Sequence, residues 1–295
     1  MPLGQIGYCN PEPRFAARHG TGHTPQRHPR AGFRHPRGFT LVELSIVMVI
    51  IALLLGAVLT PLAIRHQMRQ NKQAQHYLRE VKEALIGFAI VNGRLPWPDT
   101  DIPPDGVENA ALPTPPACTT CEGLLPWRTI GTLATDPWGR ICRYRVTHEF
   151  ASPVQTGLPP ASNHFDLFDR GDVRINTRVD DSSQGGGRKP KEDIVLTDDA
   201  AATVVSSGRN GAGGRHLDGA VVVGPAALTD ESINADGVDT GPPNPHFYAR
   251  PMASPGSHAC SDTVEGSPYC EFDDLIIWIP SSLLIKRMLD AGRLP

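Results

Sequence analysis

The chain lacks the short signatures that mark the commonest hydrolases and nucleotide-handling enzymes. It has no Gly-x-Ser-x-Gly elbow, no His-Glu-x-x-His pair and no Gly-x-x-x-x-Gly-Lys-Ser/Thr phosphate loop. His66, His76, His148, His164, His216, His246 and His258 are scattered without a patterned partner. It also lacks a basic excess, with 28 Lys and Arg against 31 Asp and Glu and a net charge of −3, which disfavours a general nucleic-acid surface. Cys118-x-x-Cys121 has no second such pair or histidine pair to complete tetrahedral zinc, and no βαβ context for a redox motif. Finally, no charge of either sign occurs between Glu43 and Arg65.

That last absence organises the rest. Residues 44–59 are long enough, with their flanks, to cross a hydrocarbon core as a helix. Upstream stand Arg14, Arg18, Arg27, Arg30, Arg34 and Arg37 against the single acid Glu12. This bias keeps the N-terminus cytoplasmic and sends the larger C-terminal part outward. Glu43, ionisable at the mouth of an uncharged run, is costly in lipid unless it has a partner, and so reads as a functional group. The bland alternative is a signal anchor whose Glu43 snorkels to the headgroups.

Gly38-Phe39-Thr40-Leu41-Val42-Glu43, followed by this run, resembles the processing and methylation site of type IV prepilins and type II secretion pseudopilins. The resemblance implies a prepilin peptidase that cuts between Gly38 and Phe39 and methylates the new amine of Phe39. It further implies that Glu43 pairs with the N-terminal amine of a neighbouring subunit as the protein enters a helical filament. The implied partners are that peptidase, other pilins or pseudopilins, and an inner-membrane assembly platform with its ATPase. The implied location is the inner membrane, single-pass, with the head in the periplasm.

Residues 1–38, rich in Pro, Gly, His and Arg, cannot bury enough surface to fold and are set aside as a cleaved leader, His19, His23, His28 and His35 included. Without the leader's six Arg and one Glu, 22 bases face 30 acids, about −8 for the mature chain. Residues 39–64 form the membrane half of an N-terminal helix. Residues 65–92 form its amphipathic half, where Ala74, Leu78, Val81, Leu85 and Phe88 make an apolar stripe. Pro61 is tolerated within the helix, and Gly93 with Pro96 stops it. A continuous helix over 39–92 would run about 80 Å. The expected fold is α+β, a pilin-like lollipop in which this helix packs on an antiparallel sheet head, residues 93–295, with long loops.

Within the head, residues 141–146, 194–197, 203–206, 220–223 and 274–279 read as strands that alternate poorly, as strands covered on both faces do. Ser281-Ser282 caps a terminal helix over 283–289. Gly185-Gly186-Gly187 and Gly241-Pro242-Pro243 mark surface loops. Asp136-Pro137-Trp138-Gly139 and the Gly-rich segment 204–214 are similar to the helix-to-sheet turn and pre-calcium segment of the major pseudopilin, although Asn210 replaces that family's Asp. Asn210-Gly211 reads as a tight hairpin turn. Hard-cation chemistry singles out Asp99, Asp101 and Asp105 in one loop and Asp230, Glu231, Asn234 and Asp236 in another as calcium ligands, with solvated loops as the plainer reading.

Cys118, Cys121, Cys142, Cys260 and Cys270 remain after the leader's Cys9 is lost, an odd number for an oxidising compartment. The family resemblance pairs Cys260 with Cys270, and Cys142 is assigned to Cys118 or Cys121. The chain thus reads as a structural subunit without enzymatic activity, a minor pilin or pseudopilin by the size of its head. A membrane-anchored periplasmic domain with binding or hydrolytic activity is the alternative.

Overall fold

The structure, a computed structural model, describes residues 38–109, 121–152, 165–179, 192–227, 229–236, 245–254, 260–264 and 267–294, without the side chains of residues 57–64, Val179, Glu192 and Asp236. The expected leader up to Arg37, Cys118 and the expected loops around Gly186 and Pro242 lie outside the described residues. The chain forms two units, Met1–Ala57 and Val58–Pro295.

In the first unit, helix α1 (Leu41–Asn92) begins. Thr40 is its N-cap: its hydroxyl accepts the Glu43 N–H at 3.1 Å and its carbonyl the Leu44 N–H at 3.0 Å. Thr40-x-x-Glu43 has capping-box spacing, and an acid in the first turn suits the positive end of the helix dipole. From Leu41 to Leu55 the large apolar side chains are exposed. Among the described residues no helix is long and apolar enough to cross a membrane. The described side chains of the apolar run stop at Gly56, short of the about 20 residues that a span requires.

The second unit is built on the later part of α1. Ala74, Tyr77, Leu78, Val81, Leu85, Ile86 and Ala89 are buried there. Tyr77, Ile86 and Ala89 widen the expected stripe and move its centre away from Phe88, which lies half-buried beneath the Arg94 guanidinium at 5.6 Å. The helix ends at Gly93, whose φ of 76° lets its N–H reach the Ala89 carbonyl at 2.7 Å.

The remaining elements follow in chain order: β1 (Glu122–Leu124), α2 (Trp127–Ile130), β2 (Arg143–Val146), α3 (His148–Ala151), β3 (Val173–Val179), β4 (Glu192–Ser206), α4 (Asp230–Asp236), β5 (His246–Tyr248), β6 (Leu275–Pro280) and α5 (Ser281–Asp290). The sheet runs β1-β2-β4-β3-β5, with β6 also on β4. Strand β4 is the hub, antiparallel to β2, β3 and β6. It unites the two segments expected at 194–197 and 203–206 and shifts register near Ala200. Strand β5 joins β3 in parallel, so the sheet is mixed rather than antiparallel throughout. The intervening β4 and α4 give the chain enough length for that crossover. Residues 220–223 contribute only a bridge from Val221 to Arg215.

Both faces of the sheet are covered, which accounts for the weak alternation. Val204 joins the α1-side core with Leu85, Tyr144 and Leu284, and Ile277 packs against it. Neighbouring Val205 points the other way, into a smaller cluster with Val173, Ile175 and Phe247, flanked by Ile276 and Trp278. Ser281 is the first residue of α5 rather than its cap. Its hydroxyl accepts the Gly171 N–H at 2.8 Å and donates to the Asp199 carbonyl at 3.1 Å.

Leu85 is fully buried where α1 meets the sheet. Leu85→Ala is expected to lower head stability by about 3 kcal/mol, whereas Val223→Ala, at a side chain 87% exposed, should change it by less than about 0.5 kcal/mol; denaturant unfolding of the two variants checks both.

Candidate functional site

Gly38 and Phe39 precede α1 and are exposed, Phe39 at 82%. A Cβ at Gly38 would meet nothing within 4 Å, and its backbone is not among the positive-φ glycines. The fold of the described residues therefore places no demand for glycine at this position. Glu43 sits on the first turn of α1, and among the described residues its carboxylate has no hydrogen-bond or ion-pair partner. Gly38, Phe39 and Glu43 thus form a linear, accessible site at the helix start.

The acid-rich loop after α1 is held by its own side chains. Asp99, fully buried, accepts the N–H groups of Asp101 at 3.0 Å and Gly106 at 2.7 Å. Burial pushes its carboxyl upward against those bonds. Asp101 accepts from the Asn109 amide at 3.0 Å, and Asp105 from the Val107 N–H at 2.8 Å. These three acids approach within 4.8 Å of one another, but the hydrogen bonds already account for their placement.

Of the second expected calcium set, Asp230 and Glu231 turn to different neighbours. Asp230 turns to arginine: Oδ1 accepts from Arg178 Nε and Oδ2 from Arg250 Nε, both at 2.7 Å. Asn234 spends its side chain on β5, donating to the Tyr248 carbonyl at 3.0 Å and accepting the Tyr248 N–H at 2.8 Å, and it also donates to Asp274 at 2.9 Å. The Asp236 side chain lies outside the description. The reason is helical geometry: adjacent positions on α4 face different neighbours.

Glu231 meets a different pair of acids, Asp273 and Asp274, with carboxylate oxygens within 4.8 Å of one another. Glu231 accepts the Asp273 N–H at 2.8 Å and the Asn210 amide at 3.1 and 3.2 Å. Asn210 Oδ1 in turn accepts the Ala212 N–H at 2.9 Å, an Asx turn inside the Gly-rich loop rather than a hairpin turn between strands. Burial, then the neighbouring Asp273 and Glu271 charges, push Glu231 up to about 7 against its hydrogen bonds. Asp273 and Asp274 are likewise raised, chiefly by burial.

The Asp136-Pro137-Trp138-Gly139 turn ties the Gly-rich loop to the sheet. Asp136 accepts the N–H groups of Trp138 at 2.9 Å and Arg140 at 3.0 Å and the Ser206 hydroxyl at 2.7 Å. Arg140 donates to the Gly208 carbonyl, and Gly211 is needed because a Cβ there would lie 2.2 Å from the Arg140 guanidinium.

Cys260 and Cys270 form a disulfide. Cys142 is a buried free thiol, not a partner of Cys118 or Cys121. The β1–β2 register sets Glu122 opposite Arg145, so Cys121 lies beside Val146 and about 13 Å along the strand from Cys142, too far to bridge. Cys121 is disulfide-bonded, with its partner outside the described residues. Burial pushes the Cys142 thiol upward, which disfavours its reactive thiolate form.

Residues 33–59 match the family model of the prokaryotic N-terminal methylation motif, which covers Gly38, Phe39 and Glu43. This motif is the signature of type IV pilins and pseudopilins, and it supports a subunit of that type, anchored in a membrane or built into a filament. No curated protein and no solved structure matches the chain.

Because the Glu231 carboxyl is raised from 4.5 to about 7, the folded state holds a proton that the unfolded chain releases between those values. Its contribution to stability is intact below about pH 4.5 and is lost as pH rises through 7, by up to about 3 kcal/mol. Glu231→Gln should flatten this part of the stability–pH profile, measured by thermal unfolding from pH 5 to 8.

Proposed function

We propose that the chain is a minor pilin or minor pseudopilin, a structural subunit matured by a prepilin peptidase and incorporated into a type IV pilus or type II secretion pseudopilus. The match of residues 33–59 to the methylation motif carries this reading. Two further observations support it. Glycine at 38 is unexplained by folding, as expected if a peptidase selects it. Glu43 has no partner among the described residues, as expected if a second subunit provides one.

In this mechanism the apolar run holds the subunit in the inner membrane, N-terminus inside and head outside. Cleavage between Gly38 and Phe39 removes the basic leader and creates an amine, which is then methylated. In the filament, Glu43 of one subunit pairs with the Phe39 amine of the next, giving a carboxylate otherwise costly in a lipid-facing run its counter-charge. The platform and its ATPase supply the work of extraction from the bilayer. The long loops of the head favour a minor over a major subunit.

Intact mass and N-terminal sequencing of the protein from membranes, with and without the host's prepilin peptidase, test the reading. A chain starting at N-methylated Phe39, lost in Gly38→Ala and in the peptidase knockout, is the expected result. An uncut chain, or one cut elsewhere, would overturn it in favour of an anchored domain. Glu43→Gln should still be cut and should reduce incorporation into filaments at least ten-fold.

A further inference from the structure

Strand β4 extends beyond the strands that cover it. Its later half pairs with β2 at residues 202–205 and with β6 from Ala200 to Ser206. Its earlier half pairs only with β3, through a register that runs from Val179 opposite Glu192 to Val173 opposite Ala200. Alternate N–H and C=O groups of residues 193–198 therefore face a side on which no strand lies among the described residues. The side chains are open as well: Ile194, Val195 and Leu196 are 42%, 43% and 46% exposed. Ile194 and Val195 are consecutive in the register and point to opposite faces, so this arm is uncovered on both. Natural sheets block a free edge with Lys, Pro or a bulge. Residues 192–199 contain no Lys, Arg or Pro. A register shift against Ile175 is the one such device present, and it leaves the apolar triplet exposed.

The charge around the triplet selects what can pair with it. Glu192 and Asp193 precede it, and Asp198 and Asp199 follow it. Arg178 bonds Asp193 at 2.7 Å but is also held at 2.7 Å by the buried Asp230, so the arm stays net acidic. A second copy of the arm is a poor partner. Antiparallel pairing with Val195 opposite Val195 sets Glu192 opposite Asp198 on both sides of the centre, and a shift by one residue sets Asp193 opposite Asp198 and Glu192 opposite Asp199. Like charges directly opposite one another destabilise a ladder. A strand with an apolar centre and Lys or Arg at its flanks has the reverse preference, because its backbone completes the ladder while its cations meet the acids at either end.

We propose that residues 193–198 of β4 are a docking edge that takes an extended segment of another polypeptide as an added strand, the segment having an apolar centre flanked by Lys or Arg. Main-chain bonds to the open edge supply the attachment. The acids at either end select the partner and exclude a second copy of this chain. The docking edge belongs to the head and does not depend on the filament reading.

The probe is a labelled peptide, acetyl-Lys-Thr-Val-Ile-Val-Thr-Lys-amide, titrated by fluorescence anisotropy into the full-length chain in detergent, with amide hydrogen exchange followed in the same samples. The expected result is saturable binding that slows exchange across residues 193–198 and leaves Tyr144 and Val204 unchanged. Binding should weaken about ten-fold when Glu replaces both Lys, and should be lost when alternate backbone nitrogens of the peptide are methylated. Ile194→Thr/Leu196→Thr keeps the strand propensity and should weaken binding by a similar factor, with exchange at Tyr144 and Val204 reporting that its sheet is folded. No binding to the parent chain would overturn the proposal. So would equal binding of the Glu peptide or of the methylated one, since attachment would then be either unselected by charge or made without the ladder. Exchange across residues 193–198 as slow as at Val204 before any peptide is added would also overturn it, by showing that the chain itself or a second copy already covers the edge.

Discussion

The head depends on one burial event, the insertion of the α1 face from Ala74 to Ala89 against the sheet. That face meets Tyr144 and Val146 of β2, Val204 of β4, Ile279 of β6, and Leu284 and Met288 of α5 in one apolar cluster. None of these elements is long enough to fold alone, and a sheet with one face in water would expose Tyr144, which has no accessible surface in the closed head. Strand β4 extends this dependence, since β2, β3 and β6 all pair with it. The opposite face is a smaller cluster around Phe247, and polar groups of α4 bond the neighbouring Tyr248 backbone.

Those polar groups illustrate two ways in which a protein tolerates buried acid. Asp230 and Asp262 remain beside arginines that offset their charge, at the cost of desolvating both partners. Among the described residues Glu231, Asp273 and Asp274 form no ion pair, and burial raises their carboxyls instead. The two arrangements share helix α4, where Asp230 and Glu231 are adjacent in sequence and face opposite electrostatic surroundings.

The N-terminal methylation motif was legible in the sequence because its residues are consecutive. The α1 stripe was legible because a 3.6-residue period persists over several turns. Strand β3 also carried a readable signal, Val173, Ile175, Thr177 and Val179 alternating with Arg174, Asn176 and Arg178, but the loop-like composition around it masked that period. The Asp198-Asp199-Ala200-Ala201-Ala202 stretch hid the continuity of β4, since small residues suit a strand only where both faces are closely covered. Glu231 and Asp273 are far apart in the chain, so no local pattern links them. The fate of Cys142 was set by strand register, which spacing does not encode.

The burial of Leu294 in the same cluster as Tyr77 has a consequence for synthesis and delivery. Arg293 also reaches the Val91 carbonyl at 3.3 Å, at the end of α1. The earliest and latest parts of the head are therefore mutual cover. A chain that emerges N-terminus first presents the α1 stripe long before β6, α5 and Leu294 arrive to shield it. Throughout that interval the stripe is a sticky surface in need of a temporary companion, and the chance of premature self-association is set by how quickly the last twenty or so residues follow.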